Sequence, residues 1–193
     1  HIIFPLGRTH KTNTRKIAKD KGLPVYNRPE SQDICFLGQG ETYVDYLEKH
    51  APQVFHPGDI VDLDGRVLGK HKGIPRYTIG RGLGIASRHP LYVVALDGKK
   101  NQVIVGSNED LFRQRLLADD LDFTDGQAPG ETFRCEAKIR YGVSVHPAEV
   151  HIQRDGRARV VFDEPQRAIT TGQSVVFYDG DRLIGGGTIV RPL

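Results

Sequence analysis

The most distinctive chemistry in this sequence lies between Arg28 and Gly38, in the segment RPESQDICFLG, which contains Cys35. A cysteine thiolate is a strong nucleophile, and nearby positive charge favours the thiolate over the thiol. The polar residues Ser31 to Asp33 come directly before Cys35, and the chain that leads to them is basic. Glycines follow closely, so the cysteine lies where the backbone turns. This setting is compatible with a reactive thiol.

The alternative for Cys35 is an inert core thiol, because Ile34, Phe36 and Leu37 surround it and free cysteine usually behaves as a small buried hydrophobe. The only other cysteine is Cys135. The two could form one disulfide, but nothing else in the sequence resembles a secreted disulfide scaffold, so we expect a reducing cytoplasm. Two distant cysteines without a His-Cys cluster give no reason to expect a metal site.

Positive charge is clustered along the first half of the chain. Between Gly65 and Leu96 there are six Lys or Arg residues and no Asp or Glu, although the formal net charge is only +3. Such clustering suits a polyanion, and Lys72, Arg76 and Arg81 are candidates for contacts to a nucleic-acid backbone. The alternative is a solvated basic face without a partner. His71 is a further candidate for such a contact, and otherwise it is expected to be an ordinary surface residue.

Composition indicates a turn-rich chain. The 193 residues include 22 Gly and 11 Pro, and 38% of the residues are hydrophobic. This length suffices for one or two domains with cores, and no apolar run approaches the roughly 20 residues of a membrane helix. The first residue is His and Met is absent, so we expect a fragment of a longer protein.

The first fifty residues contain two helix patterns. One runs toward Gly22 and is capped by Thr9 or Thr12, and the other spans residues 41–50 and is ended by Pro52. They are too short and too polar to close a core alone.

From Pro52 onward the pattern is that of antiparallel strands. Asp-Gly turns predict a hairpin over residues 60–68 with a two-residue loop, and a second hairpin pairs residues 91–96 with 102–105. The stretch HKGIPRYTIGRGLGI between them is expected to be an exposed loop, and residues 109–117 to hold a short helical turn.

The last third predicts a small β-barrel. Phe133, Cys135 and Ile139 alternate with polar residues, so Cys135 should point into a core. Further strands are expected at residues 148–153, 157–162, 174–178 and 182–190. Five or six short antiparallel strands with tight turns are typical of a barrel.

Several motifs, in order, resemble the tRNA-specific 2-thiouridylase family, whose members place sulfur at position 2 of the wobble uridine. They are SQDICF, a His-x-Gly and YTIG…GLGI stretch, RY, AI…TGQ…VFYDGD and GGG, and they run from Phe4 to Gly185. The resemblance implies a mainly β fold in three parts. These are the tail of an ATP-pyrophosphatase-type (PP-loop) domain over 1–52, a central β module over 53–114, and an antiparallel six-stranded barrel that binds tRNA over 115–193.

The resemblance also implies roles for individual residues. Cys35 would carry a persulfide sulfur supplied by a cysteine desulfurase or a relay protein, and Arg140, Tyr141 and Gln173 would contact tRNA. The family activates uridine with ATP, but this sequence has neither an SGGxDS loop nor a Walker motif, so the ATP site is expected upstream and the chain alone should be inactive. A disulfide from Cys35 to a cysteine of that absent part is left open.

Two other functions remain possible from the sequence. One is a non-catalytic RNA-binding barrel with an incidental thiol. The other is a redox-sensing thiol protein, although no resolving cysteine lies near Cys35.

Overall fold

The computed structural model describes residues 3–28, 37–38, 40–84 and 89–193. Cys35 lies outside these residues. The chain divides into two compact units, His1–His50 and Ala51–Leu193.

The first unit contains two helices, α1 (Lys11–Asp20) and α2 (Tyr43–His50). The expected cap of α1 by Thr9 or Thr12 is wrong: the N-cap is His10, which makes no side-chain capping bond. The predicted stop is confirmed, since Gly22 has a φ of 67°. At α2, the Asp45 amide donates to Thr42 Oγ1 at 3.2 Å and the Thr42 amide donates to Asp45 Oδ2 at 2.9 Å. This is a capping box with Asp in the place of Glu.

Neither helix has a buried residue.

The second unit begins with a five-stranded sheet of order β2-β1-β5-β4-β3. Its strands are β1 (Gly58–Val61), β2 (Val67–His71), β3 (Gly82–Leu83), β4 (Leu91–Asp97) and β5 (Gln102–Gly106). β1 and β5 are parallel, and the other neighbours are antiparallel. Both predicted hairpins are therefore present.

The first hairpin does not have the predicted two-residue loop. The Asp62 amide donates to the Arg66 carbonyl at 3.0 Å, so the loop between this hydrogen-bonded pair contains three residues. The last of them, Gly65, takes a φ of 83°. Asp62 Oδ1 accepts from the amides of Asp64 and Arg66. This side-chain turn competes with the shorter loop and explains the difference.

The basic stretch after β2 is not the exposed loop that its charge predicted. Ile74, Tyr77 and Ile79 pack with Leu83 against the sheet core of Ile60, Val93, Val103 and Val105. The backbone of this stretch therefore lies against the sheet because its hydrophobic side chains pack there, although the stretch also carries several positive charges.

His71 is likewise not a surface residue, because only 1% of it is exposed. Its Nδ1 accepts a hydrogen bond from the Gly73 amide at 3.0 Å, and its Nε2 lies 3.0 Å from the Asn101 carbonyl oxygen. Nδ1 as acceptor leaves Nε2 as the protonated donor. The neutral imidazole therefore fixes the start of the basic stretch.

A closed six-stranded antiparallel barrel of order β10-β11-β6-β9-β8-β7 completes the chain, as predicted. Its strands are β6 (Phe112–Phe123), β7 (Thr132–Lys138), β8 (His146–Ile152), β9 (Ala158–Arg167), β10 (Ser174–Asp179) and β11 (Arg182–Pro192). The expected helical turn before it is a 3-10 turn at Glu109–Leu111. β6 was not predicted, because charged residues and the positive φ of Asp120 obscure its alternation.

The barrel core consists of small and branched side chains around two fully buried rings, Phe162 and Phe177. Cys135 packs against this core, which confirms its inward direction, although its side chain is only partly buried.

The glycines of the GGG motif permit close contact between barrel strands. An added Cβ would lie 2.4 Å from the Asp122 carbonyl oxygen at Gly185, 2.5 Å from that of Val175 at Gly186, and 2.6 Å from that of Asp119 at Gly187. Such distances are too short for any side chain, so β11 needs glycine at all three positions.

Candidate nucleic-acid interface

The structure brings the three predicted barrel residues together in one groove. Arg140, Tyr141 and Gln173 line an open cavity of about 300 Å³ between β7 and β10, which we call the barrel groove. The remaining lining residues are Lys138, Ser174, Val176 and Tyr178. The lining combines two cations, two phenols, an amide and a hydroxyl, and it includes no carboxylate. Its chemistry suits an anionic, aromatic ligand such as RNA.

Strand register explains why these side chains share one surface. Lys138 pairs with Val176 across β7 and β10. Ala137 and Ile139 point into the barrel core, so Lys138 and Arg140 point outward. Tyr141 follows at the strand end and is 98% exposed.

Arg140 is anchored to the barrel by its own guanidinium. Arg140 Nη2 donates to the carbonyl oxygens of Arg167 at 2.9 Å and Ala168 at 3.1 Å. Ala168 has a φ of 54°, and its carbonyl also accepts from Thr170 Oγ1 at 2.9 Å. One arm of Arg140 therefore holds a strained backbone segment, and only the rest of the guanidinium can face a ligand.

Gln173 is presented by a tight turn over residues 170–173. The Gln173 amide donates to the Thr170 carbonyl at 3.3 Å, and Gly172 has a φ of 81°. The Gln173 carbonyl accepts from the Ile189 amide at 2.8 Å, so β11 fixes the turn. With its backbone held, the exposed amide side chain is available to a ligand.

Sequence reasoning missed Arg167, which joins the barrel to the sheet. Its Nε donates to Asn108 Oδ1 at 3.0 Å and its Nη2 donates to the Gly80 carbonyl at 3.1 Å. Its guanidinium carbon also lies 5.5 Å from the centroid of the Tyr92 ring, a cation–π distance. No sequence signal could have shown this, because its hydrogen-bond partners lie 59 and 87 residues away.

A second groove of about 390 Å³ lies on the sheet and includes two of the predicted backbone-binding residues, Arg76 and Arg81. We call it the sheet groove. Its apolar lining includes Ile60, Leu83 and Val93. The predicted Lys72 is exposed and does not line it, whereas Lys70, which sequence reasoning missed, does.

The cations of the sheet groove are partly held by the protein. Lys70 Nζ lies 2.5 Å from Asp59 Oδ1. The Arg76 guanidinium lies over the Phe55 ring, 5.3 Å from its centroid. Arg81 is exposed, so it is the side chain of this groove that is most available to bind a ligand from solution.

The GRGLG segment at Gly80 does not fit a phosphate cradle. The Gly80 amide donates to the Val93 carbonyl at 2.8 Å, and the Arg81 amide donates to the Thr78 carbonyl at 3.1 Å. Backbone amides committed to carbonyls cannot bind phosphate oxygens. The residues of this segment therefore do not fit ATP.

Cys135 is a free, half-buried thiol, so the disulfide with Cys35 that the sequence left possible is not formed. Burial raises the pKa of Cys135 to about 11, mainly by desolvation of the thiolate, and this outweighs the neighbouring Arg134. The thiol is protonated at neutral pH and is a poor nucleophile there. Cys35, the predicted sulfur carrier, lies outside the described residues.

Across the described ranges, no group of three or more His, Cys, Asp or Glu side chains is arranged to hold a metal ion. In the same ranges, no helix is long and apolar enough to cross a membrane.

Three family models match the chain in order. A tRNA methyl transferase HUP domain matches residues 1–39, a tRNA methyl transferase PRC-barrel domain matches residues 44–107, and an aminomethyltransferase beta-barrel domain matches residues 113–189. The matches define a protein in which a HUP segment, a small sheet and a β-barrel follow one another.

Similar proteins carry one name, tRNA-specific 2-thiouridylase. That of Clostridioides difficile is 44% identical over 195 residues, covering 100% of this chain and 54% of that protein. Those of Chloroflexus aggregans and Moorella thermoacetica are 46% and 50% identical, covering 99% and 98% of this chain and 54% and 53% of those proteins. The chain belongs to the tRNA-specific 2-thiouridylase family and spans about half the length of these relatives.

Proposed function

We propose that this chain is the tRNA-binding part of an enzyme that replaces the C2 oxygen of a wobble uridine with sulfur. The observation that carries the proposal is the barrel groove, in which Arg140, Tyr141 and Gln173 lie together. The name that the relatives carry supports the same function. The names of two of the family models support tRNA as the substrate.

The barrel groove offers three kinds of RNA contact. The exposed ring of Tyr141 can stack on an unpaired base, and the amide of Gln173 can read a base edge. The part of Arg140 not bound to backbone carbonyls can meet a phosphate. In the sheet groove, Arg81 is the best candidate for a further phosphate contact, and Arg76 lines the same groove. Lys72, which is exposed outside the groove, is a weaker candidate.

Cys35 is the proposed sulfur carrier. A persulfide on this residue, charged by a cysteine desulfurase or a relay protein in a reducing cytoplasm, would attack C2 of the activated uridine with its terminal sulfur and displace the adenylated oxygen as AMP. A thiol in another part of the whole protein would then attack the Cys35 sulfur and break the S–S bond, which leaves the terminal sulfur on the uridine and a disulfide between that thiol and Cys35. A persulfide suits this step because it is nucleophilic near neutral pH. Cys135 is unsuited to the role because its thiol is protonated at neutral pH.

Activation of the C2 oxygen by ATP is assigned to another part of the whole protein. The GRGLG segment does not fit ATP, and this sequence contains neither an SGGxDS nor a Walker motif. We therefore expect the 193-residue chain to bind tRNA without thiolating it.

The test is a pair of substitutions in the full-length enzyme, with 2-thiouridine in digested tRNA measured by mass spectrometry. Cys35→Ser is expected to abolish thiolation, and Cys135→Ser to leave it largely intact. Equal loss from both substitutions would reject this division of roles. If Cys35 takes up no persulfide when desulfurase and cysteine are supplied, the chain is better described as an RNA-binding module with an incidental thiol.

A further inference from the structure

We infer that the barrel groove binds a short single-stranded segment of RNA along β7 and β10, with Lys138 as its principal phosphate contact and Tyr178 as a second stacking surface. This inference rests on the proposed function for its ligand class. It adds two residues that no motif of the family resemblance singled out for RNA contact.

The outward face of β10 supplies the length of this track. Val175 and Phe177 are fully buried in the barrel, so Ser174, Val176 and Tyr178 point outward along one line. The five residues from Ser174 to Tyr178 are separated by four rises of about 3.3 Å, so they span roughly 13 Å. A stacked strand advances about 3.4 Å per nucleotide, so the track exceeds the size of a single phosphate or base.

Charge availability distinguishes Lys138 from Arg140. Arg140 gives two hydrogen bonds to backbone carbonyls. Lys138 lies beside Val176 in the middle of the groove, and within the part of the chain that the structure describes it has no ion-pair partner. A Lys ammonium in a groove without carboxylates is well placed to neutralise one phosphate.

The two tyrosines mark the ends of the track. Tyr141 lies at the strand end beside Gln173, and Tyr178 lies at the opposite end of the outward line on β10. Glu136 pairs with Tyr178 across the strands, two residues before Lys138 on the same outward face. Its negative charge disfavours phosphate beyond Tyr178, so the RNA segment should end there.

The inference is tested by binding of unmodified substrate tRNA to the full-length enzyme across a salt series. Tyr178→Ala is expected to weaken binding about tenfold, which is within the range measured for loss of one base–aromatic stack. Tyr178→Phe should bind like the wild type, because it keeps the ring. Lys138→Gln should make the slope of log K against log salt shallower by about 0.7, as for one lost phosphate contact to single-stranded RNA.

Arg154→Ala is the charge-matched control, since Arg154 is exposed at the turn between β8 and β9, outside the groove. Thermal melting of each variant checks the fold. Wild-type binding by folded Tyr178→Ala and Lys138→Gln overturns the inference, as does equal weakening by Tyr178→Phe and Tyr178→Ala. If both variants bind tRNA normally but lose desulfurase-dependent charging, the face serves the sulfur donor instead.

Failure of this inference can be told from failure of the proposed function. If the wild-type enzyme does not bind tRNA, the proposed function itself is rejected. If the wild-type enzyme binds tRNA, and Tyr178→Ala and Lys138→Gln bind it equally well, the RNA path along the barrel groove is wrong and the proposed function stands.

Discussion

The Nη2 atom of Arg167 donates a hydrogen bond to the carbonyl oxygen of Gly80 at 3.1 Å, and this bond links the last residue of β9 to the sheet. The backbone at Arg167 and Ala168 is also held by hydrogen bonds. The Arg167 carbonyl accepts from Arg140, and the next amide, that of Ala168, donates to the Leu111 carbonyl at 2.8 Å. A Cβ on Gly80 would lie 2.9 Å from Ala168 Cβ. The barrel and sheet grooves are thus connected through one arginine.

We predict that Arg167→Ala lowers the free energy of unfolding by about 2 kcal/mol, because two hydrogen bonds from a charged donor and one cation–π contact are lost. Affinity for tRNA should fall as well, although Arg167 lines neither groove, because the anchor carbonyls of Arg140 lose their fixed position. Denaturant unfolding and tRNA binding measure the two effects.

Arg167→Lys separates charge from geometry. A lysine keeps the charge but cannot donate to Asn108 and Gly80 in the same fork, so it should restore little of the stability. Arg191→Ala, at an exposed position of β11, is the control for loss of one positive charge. Equal weakening of tRNA binding by the control and by Arg167→Ala would show that only net charge matters.

A second prediction concerns the buried imidazole of His71. His71→Phe fills a similar volume but leaves the Gly73 amide and the Asn101 carbonyl without their partner. Each unsatisfied buried group costs about 1–3 kcal/mol, so we expect a clear loss of stability. Amide hydrogen exchange should become faster over residues 72–84, which include Arg76 and Arg81.

His56→Phe is the matched control, since the His56 side chain is exposed and only its backbone carbonyl is used, by Asn101. A uniform rise in exchange over the whole sheet with His71→Phe would indicate a general packing defect. The prediction requires that the change be concentrated after β2.

The sequence predicted the barrel and both hairpins of the sheet because their strands alternate or are bounded by Asp-Gly turns, which are local signals. It failed for His71 and the basic stretch because charge density suggested exposure, whereas Ile74, Tyr77 and Ile79 bury the backbone against the sheet. A local sequence pattern does not reveal whether the hydrophobic side chains of such a stretch pack against a distant part of the fold.

For the candidate site too, the sequence predicted some features and missed those that depend on tertiary contacts. Motif resemblance singled out Arg140, Tyr141 and Gln173, which share a groove. It did not reveal that Arg140 also anchors Ala168, or that Lys138 and Tyr178 complete the groove. Those facts depend on the register between β7 and β10 and on contacts between residues 27 and 28 positions apart, which one sequence does not specify.

A third prediction tests the close packing of β10 and β11. Gly186→Ala places a methyl group 2.5 Å from the Val175 carbonyl oxygen, where the contact is with backbone and cannot be relieved by a rotamer change. The strands must separate, so we expect a loss of at least 2 kcal/mol, about the cost of overpacking a core. Gly69→Ala is the control, because an added Cβ there meets nothing within 4 Å. Thermal melting of both variants measures the difference.

The fourth prediction follows from the Cys135 thiol, whose pKa is raised by burial from 9.0 to about 11. Near pH 8 a thiol-specific alkylating reagent should modify Cys135 slowly in the folded chain and rapidly after unfolding. The unfolded state loses this proton at lower pH than the folded state, so the stability contribution is complete below pH 9 and declines between about pH 9 and 11. Cys135→Ala should make that decline smaller, measured by urea unfolding at each pH. Rapid alkylation of native Cys135 at pH 8, in a Cys35→Ser background, would show that the thiol is more accessible than its packing against the barrel core implies.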